Sequence, residues 1–219
     1  MSLKLYFAPG ACSFVPHALL EASGAPFETQ MVKLHKSEQD SPEYRAVNPR
    51  GQVPVLVDGD AVITQILAII GYLDARFPEQ QFLPSEPLAR AKAMETLAWM
   101  NNTVHPTFTH VFMPHKFAAE PDTQARIKEF NAKQYRPMLA EIDRMAQLAA
   151  AQGRPFLGGE RFGPIDAYAL TLLRWGGFAG IDPTGFPALW AHVQKLAALP
   201  PVARAMERER LQLNVYKAA

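Results

Sequence analysis

Strand-like patterns occur in only the first third of this chain of 219 residues. LKLYF (3–7) is a short apolar strand, and VPHALLEASG (15–24) has helical spacing with a glycine at its end. FETQMVKL (27–34) alternates as a strand, and VPVLVDGDAVIT (53–64) predicts two strands around an Asp-Gly turn. ILAIIGYLDARF (66–77) predicts a helix that ends before a proline. The order β-α-β, then β-β-α, is typical of an α/β layered domain.

The segment PEQQFLPSEP (78–87) contains three prolines and shows no periodicity, which is typical of a linker. Beyond it strand patterns nearly vanish, and the spacing of apolar residues predicts helices over 88–105, 122–153, 164–179, 186–198 and 201–210. We therefore predict an α/β domain over residues 1–79, a linker over 80–87 and an all-helical domain over 88–219.

Charge and composition exclude several classes of function. The formal net charge is +1 and no run of Lys or Arg occurs, so neither nucleic acid nor an anionic membrane is a favoured partner. The longest apolar runs are far short of the roughly 20 residues that span a bilayer. The start MSLKLYF lacks the features of a secretory signal, and a single cysteine excludes an intrachain disulfide, so we predict a cytoplasmic protein. Histidines 105, 110 and 115 recur at a spacing that does not support a metal site.

The single cysteine, Cys12, stands where the first helix is predicted to begin. Unpaired N–H groups and the helix dipole favour a thiolate there and would lower its pKa. Pro54 opens a strand, and a cis bond before it would leave the backbone of Val53 free to pair with a peptide-like ligand. Together they indicate a thioredoxin-like thiol site, although a free cysteine is more often a small buried residue. Because Val15 stands three positions after Cys12, there is no C-x-x-C pair and a dithiol oxidoreductase is excluded.

Several segments, in order along the chain, carry a resemblance to a known family: KLYFAPGACSFVPH, YRAVNPRGQVPVLVDGDAVIT, RFGPIDAYALTLLRW and LAALPPVARAM. The whole chain resembles the cytosolic glutathione S-transferases, and most closely their bacterial beta class. The resemblance implies a thioredoxin-like glutathione-binding domain followed by the helical C-terminal domain of that family. It also implies a homodimeric detoxification enzyme with no metal and no covalently bound cofactor. Glutathione would be the co-substrate, and a small hydrophobic electrophile the second substrate.

Three catalytic residues are implied by the resemblance. Cys12 matches the cysteine that beta-class proteins place beside the glutathione sulfur, where it can form a mixed disulfide. His105, in NNTVHPTF, matches a histidine directed into the active site, with a helix-end histidine satisfied locally as the equal alternative. Ser13 is a fallback donor, whose hydroxyl could donate to the thiolate. Tyr6 lies near the position of the catalytic tyrosine of other classes, and we interpret it as a packing residue.

The resemblance also implies contacts to the peptide part of glutathione. Gln52 and Val53 match residues that hold its backbone, next to a proline that is cis in the family. Lys36, next to His35, could pair with the glycine carboxylate, and Arg50 could serve instead. The implied glutathione-binding set is Ala11, Lys36, Gln52, Val53, Pro54, Gln65 and Ile66.

The helix start in VITQILAII departs from the family pattern, in which an acid and then a small residue open this helix. Gln65 replaces the acid, so a charge-assisted hydrogen bond to the glutathione ammonium becomes a neutral one. The expected loss is roughly 1–2 kcal/mol, or about tenfold in affinity. Ile66 retains a backbone N–H that can bind an anion, but its bulk is expected to crowd the site. Either glutathione binds more weakly or the site is reshaped for another ligand, and we favour weaker binding.

Three functions remain open from the sequence. The first is a glutathione S-transferase, which presents the glutathione thiolate to an electrophile or uses it in thiol exchange. The second is a binding or interaction protein of the same fold without catalysis, and the third is a glutathione-dependent reductase or isomerase. A pocket for the electrophile could come from aromatic and methionine side chains that otherwise form plain core: Trp99, Met100, Phe108, Phe112, Met113, Phe117 and Trp175.

Overall fold

The computed structural model describes residues 3–218, so residues 1, 2 and 219 of the predicted domains lie outside the described part. The strands are β1 (Leu3–Phe7), β2 (Phe27–Met31), β3 (Val55–Asp58) and β4 (Ala61–Thr64). The α-helices are α1 (Phe14–Ser23), α2 (Pro42–Val47), α3 (Ile66–Arg76), α4 (Pro87–Trp99), α5 (His105–Phe112), α6 (Pro121–Ala151), α7 (Pro164–Gly176), α8 (Pro187–Ala197) and α9 (Pro200–Glu209).

The four strands form one mixed sheet in the order β2-β1-β3-β4. β1 runs parallel to β2 and antiparallel to β3, and β3 runs antiparallel to β4. Asp58 pairs with Ala61, so the two-residue hairpin loop is Gly59-Asp60, one position later than the predicted Asp58-Gly59 turn. Gly59 has φ +59°, a conformation that glycine adopts without strain. The predicted fold class, a thioredoxin-like domain followed by helices, is confirmed.

One continuous core extends from the sheet into the helical part. Leu5 of β1, Leu19 of α1 and Leu172 of α7 are each fully buried and belong to the same apolar cluster. α1 packs against α3, α7 and α9, so it lies between the sheet side and the later helices. The residues that precede α1 are therefore enclosed by elements distant in sequence.

Two local features differ from the prediction. α2 forms between β2 and β3, where the sequence patterns predict no element, because Ser41 caps it and Tyr44 buries its ring. The predicted helix over 88–105 is longer: α4 continues through a π-helical segment, Met100–Val104, into α5. Between α3 and α4 there is a short 3-10 turn, Pro78–Gln80, and the division into two domains at 80–87 stays a prediction.

Candidate active site

The thiol of Cys12 lies beside the backbone that precedes Pro54. Cys12 stands two residues before the first residue of α1, and its Sγ lies 3.5 Å from the carbonyl oxygen of Val53. The Val53–Pro54 peptide bond is cis. Two features that are 41 residues apart in sequence are thus in contact, as the sequence predicts for a thioredoxin-like thiol site.

The loop before Cys12 is held by α7 and α9. The N–H of Gly10 donates to Glu209 Oε2 at 2.8 Å, and the indole Nε1 of Trp175 donates to Gly10 O at 2.8 Å. Glu209 Oε1 lies 2.7 Å from His17 Nδ1, and both side chains are fully buried. Both backbone polar groups of Gly10 therefore have side-chain partners from the helical part of the chain.

A side chain at position 10 would be strained by the backbone conformation, because Gly10 has φ +69°. A Cβ there would stand 2.6 Å from a guanidinium nitrogen of Arg174, so the end of that side chain would have to move. The turn therefore needs glycine for its backbone conformation.

The pKa of the Cys12 thiol is raised to about 12, against the prediction that the helix start would lower it. Burial is the main cause, because a thiolate would lose its hydration. The N–H groups of Cys12 and Ser13 act in the predicted direction but are outweighed, and the charge of Glu209 adds to the rise. Cys12 is therefore a neutral thiol at pH 7, able to donate a hydrogen bond.

Ser13 is fully buried, and its hydroxyl is occupied by the loop itself. Its Oγ accepts from the N–H of Ala8 at 3.1 Å and donates to Ala8 O at 3.2 Å. A hydroxyl has one hydrogen, so the donor proposed for a thiolate is already used. The geometry gives Ser13 the part of closing the turn before α1, and Ala11 continues this turn by donating from its N–H to Ala8 O.

His105 is the first residue of α5 and directly follows the π-helical segment. Its ring lies 4.8 Å from that of Trp175, and its Nδ1 lies 2.8 Å from the hydroxyl of Tyr168. Burial lowers the pKa of His105 to about 4, so the imidazole is neutral at pH 7. The Trp175 indole also donates to Gly10 O, so this one side chain links His105 to the loop that carries Cys12.

The backbone around Gln52 and Val53 is fixed by buried side chains. Gln52 O accepts from the Tyr44 hydroxyl at 2.8 Å and from Asn48 Nδ2 at 2.7 Å. The side chain of Gln52 is exposed. In the described part of the chain the Val53 N–H has no hydrogen-bond acceptor, so it is available to a ligand.

The start of α3 presents backbone groups rather than side chains. Gln65 is exposed with φ +73° and makes no capping hydrogen bond. Ile66 is 4% exposed and packs in the main apolar cluster. The side chain therefore packs in the core, which counts against the expectation that its bulk crowds the site.

Lys36 is not brought into contact with this group of residues. It is exposed at the end of a 3-10 helix, Leu34–Lys36, and its side chain makes no ion pair with any residue from 3 to 218. Arg50, the alternative, is exposed too. Their contacts to a glycine carboxylate stay predictions.

The aromatic residues predicted for the second substrate divide into buried and exposed members. Phe108 is buried between Trp175 and Phe112, with ring centroids 4.7 Å and 5.6 Å away. Phe112 and Phe178, with centroids 5.7 Å apart, are about half exposed. Arg174 lies over the Phe178 ring at 5.6 Å and beside Gly10, so the exposed aromatic pair borders the thiol loop.

Sequence reasoning missed Glu209, His17 and Tyr168. Glu209 stands in MERER, which reads as a solvated run of charges. A signal was present, because Val202, Ala205 and Glu209 follow the helical spacing of one face, and all three are buried. A carboxylate on such a face predicts a buried partner.

Two kinds of feature are absent from the described residues. No helix within residues 3–218 is long and apolar enough to cross a membrane. Over the same residues no three His, Cys, Asp or Glu side chains are grouped as a metal site would need.

Comparisons with known proteins agree on one family. Residues 1–75 match the model of the glutathione S-transferase N-terminal domain. The chain is 32% identical to glutathione S-transferase GstA of Escherichia coli O157:H7, over 96% of this chain and 100% of that protein. It is 34% identical to glutathione S-transferase GST-4.5 of Xanthomonas campestris pv. campestris, over 95% and 100%. A sphingomonad glutathione S-transferase solved with glutathione is 31% identical and has a TM-score of 0.80, with a match over 95% of this chain and 100% of that one.

Proposed function

This chain belongs to the glutathione S-transferase family, and we propose that it activates the thiol of glutathione beside Cys12 and His105 for attack on a hydrophobic electrophile. The observation that carries this proposal is the 3.5 Å contact between Cys12 Sγ and Val53 O. It puts a thiol-binding position next to a backbone N–H that is open to a peptide. The solved sphingomonad relative has glutathione bound, which supports the same ligand here.

Glutathione would lie with its peptide backbone along Val53 and its γ-glutamyl carboxylate at the start of α3. The unpaired N–H groups of the first turn of α3 favour an anion. The cysteinyl thiol would then point towards Cys12 and His105. The electrophile would occupy the exposed aromatic surface of Phe112 and Phe178.

In the transfer step the glutathione S–H bond breaks and its electron pair remains on sulfur. The sulfur then forms a bond to the electrophilic carbon, and the leaving group departs with the electrons of its former bond. Cys12 is a neutral thiol whose single hydrogen faces Val53 O, and it would stabilise the thiolate by turning that hydrogen to the glutathione sulfur. The proton needs an acceptor, and the neutral imidazole of His105 is one.

The raised pKa of Cys12 favours transfer over thiol exchange. Exchange would need a disulfide co-substrate and a Cys12 thiolate as the attacking group. With a pKa of about 12 the thiolate fraction at neutral pH is very small.

The finer assignments rest on the resemblance. We propose the beta class, a homodimer and a cytoplasmic location. The half-exposed Val62 of β4 and the exposed Leu88 of α4 supply apolar surface that a second copy could cover. Light scattering during gel filtration would contradict the dimer if it gave the mass of one chain.

The test is calorimetric titration with reduced glutathione, followed by conjugation to a chlorodinitrobenzene, for wild type, Cys12→Ala and Cys12→Ser. We expect millimolar or tighter binding, with conjugation reduced about tenfold or more in Cys12→Ala and partly restored by the serine donor. No binding in the millimolar range would contradict the proposal. Binding without conjugation of any electrophile in a panel would instead favour a non-catalytic binding protein.

A further inference from the structure

Three side chains from three elements form a hydrogen-bonded row that ends at His105. Asn101 stands in the π-helical segment, Tyr168 in α7 and His105 at the start of α5. The Tyr168 hydroxyl lies 3.2 Å from Asn101 Oδ1 and 2.8 Å from His105 Nδ1. Asn101 and His105 are four positions apart, and residues at that spacing lie on the same face of a helix.

The Asn101 amide is placed with its oxygen towards Tyr168. Asn101 Oδ1 lies 3.2 Å from the Tyr168 hydroxyl, and Asn101 Nδ2 donates to Asn102 Oδ1 at 2.8 Å. An amide oxygen accepts hydrogen bonds and cannot donate them. Tyr168 must therefore supply the hydrogen of that contact.

The single hydrogen of the Tyr168 hydroxyl decides the tautomer of His105. If it pointed to His105, the Tyr168 and Asn101 oxygens would face each other without a hydrogen between them. With the hydrogen on the Asn101 side, the hydroxyl oxygen accepts from Nδ1–H of His105. In the neutral imidazole the other nitrogen, Nε2, then carries no hydrogen.

Nε2 of His105 is not fully enclosed by the protein. Within the described part of the chain it has no hydrogen-bond partner, and it does not belong to the fully enclosed unpartnered atoms, such as His17 Nε2. The thiol loop is adjacent, since Trp175 contacts both the His105 ring and Gly10.

We propose that Asn101 and Tyr168 are positioning residues that hold His105 as its Nδ1–H tautomer, with Nε2 free to accept the proton of the glutathione thiol. This inference rests on the proposed function. The S–H bond breaks, its electron pair stays on sulfur, and the proton forms a bond to Nε2. The resulting imidazolium keeps its Nδ1–H bond to Tyr168, which offsets part of the burial that disfavours the charged ring.

The tautomer can be measured directly by NMR of protein labelled with ¹⁵N-histidine, with His105→Gln to identify the signals. In wild type at pH 8 we expect Nδ1 to have the shift of a protonated nitrogen and Nε2 that of an unprotonated one. In Asn101→Leu the hydroxyl loses its acceptor and can donate to Nδ1, so the tautomer should move to Nε2–H. In Asn101→Asp the carboxylate still accepts the hydrogen of the Tyr168 hydroxyl, so the wild-type tautomer should remain. Thr103→Ala, an exposed change in the same segment, is the control and should match wild type.

The rates should follow the tautomer. We expect kcat for glutathione conjugation to fall about 10- to 100-fold in Asn101→Leu with an unchanged KM for glutathione, and to change less than about threefold in Asn101→Asp. An Nε2–H tautomer in wild type, or equal spectra for Asn101→Leu and Asn101→Asp, would overturn the inference. If wild type bound no glutathione, the proposed function would fail, whereas the spectra would still decide the tautomer.

Discussion

The two ends of the candidate site are held in different ways. The thiol side, residues 8–13 with His105, is enclosed by buried partners from α7 and α9. The proposed glutamyl side, residues 65–68 at the start of α3, has an exposed Gln65 with positive φ and would offer backbone N–H groups to glutathione. The thiol side thus depends on side chains distant in sequence, whereas the glutamyl side depends on local backbone.

This difference indicates where the site tolerates change. A substitution on the thiol side leaves buried polar groups unpaired, which is costly. A substitution at the exposed Gln65 changes the ligand contact without disturbing the core. The departure from the family pattern at Gln65 is therefore compatible with an intact fold.

The largest effect is expected for Glu209→Ala on the thiol side. The change leaves the Gly10 N–H and His17 Nδ1 buried without a partner, so the free energy of unfolding should fall by about 3–5 kcal/mol. Urea unfolding measures it, with Glu207→Ala, an exposed change on the same helix, as a control within about 0.5 kcal/mol. A loss below about 1 kcal/mol would show that Glu209 does not hold the loop before Cys12.

Ile66→Ala should act on the fold and spare the glutamyl side. Its buried side chain packs in the main cluster, so we expect a loss of about 2–4 kcal/mol in the free energy of unfolding. Affinity for glutathione should change less than about threefold, because the backbone N–H remains. Ala68→Ser, at an exposed position two residues further on, is the control for stability. A tenfold gain in affinity would mean that the isoleucine obstructs the ligand.

Lowering the pH should reduce the free energy of unfolding, because His105 on the thiol side is buried in its neutral form. Its folded pKa of about 4 lies below the ordinary 6.5, so its contribution to stability is complete above pH 6.5 and is lost as pH falls towards 4. Between pH 7 and pH 5 wild type should lose about 2 kcal/mol more than His105→Gln, which has no group to titrate there. Unfolding of both proteins at the two pH values gives the difference. Equal losses would mean that His105 is hydrated in the folded protein.

Gln65→Glu should produce the smallest effect, and on binding alone. The restored carboxylate would make a charge-assisted bond to the glutathione ammonium, so Kd should fall about tenfold, or about 1.4 kcal/mol. Calorimetric titration measures it, with Gln194→Glu, an exposed change on α8, as the control for added charge. No change in Kd would place the ammonium elsewhere.

The fold could be predicted from sequence because its signals are local. The patterns in 3–7, 15–24 and 66–77 correspond closely to β1, α1 and α3, and the glycine and proline at their ends stop them. The contact of Cys12 with Val53 followed from that frame.

What sequence could not supply is the environment of each site residue. The direction of the Cys12 pKa depends on burial by elements far along the chain, which outweighs the helix start that the sequence displays. Glu209 reaches Gly10 across 199 positions. The direction of the Ile66 side chain depends on the core behind α3.

The two hydrogen bonds on Gly10 have a consequence for how members of such a family can recombine. A chimera that joined residues 3–79 of this chain to the helices of a relative would keep Cys12 and Pro54. It would keep the loop geometry only if the new helices carried a carboxylate and an indole at the positions of Glu209 and Trp175. The position of the Cys12 thiol therefore depends on both halves of the chain. Replacing the helices that bind the electrophile would also replace the side chains that hold the loop before Cys12.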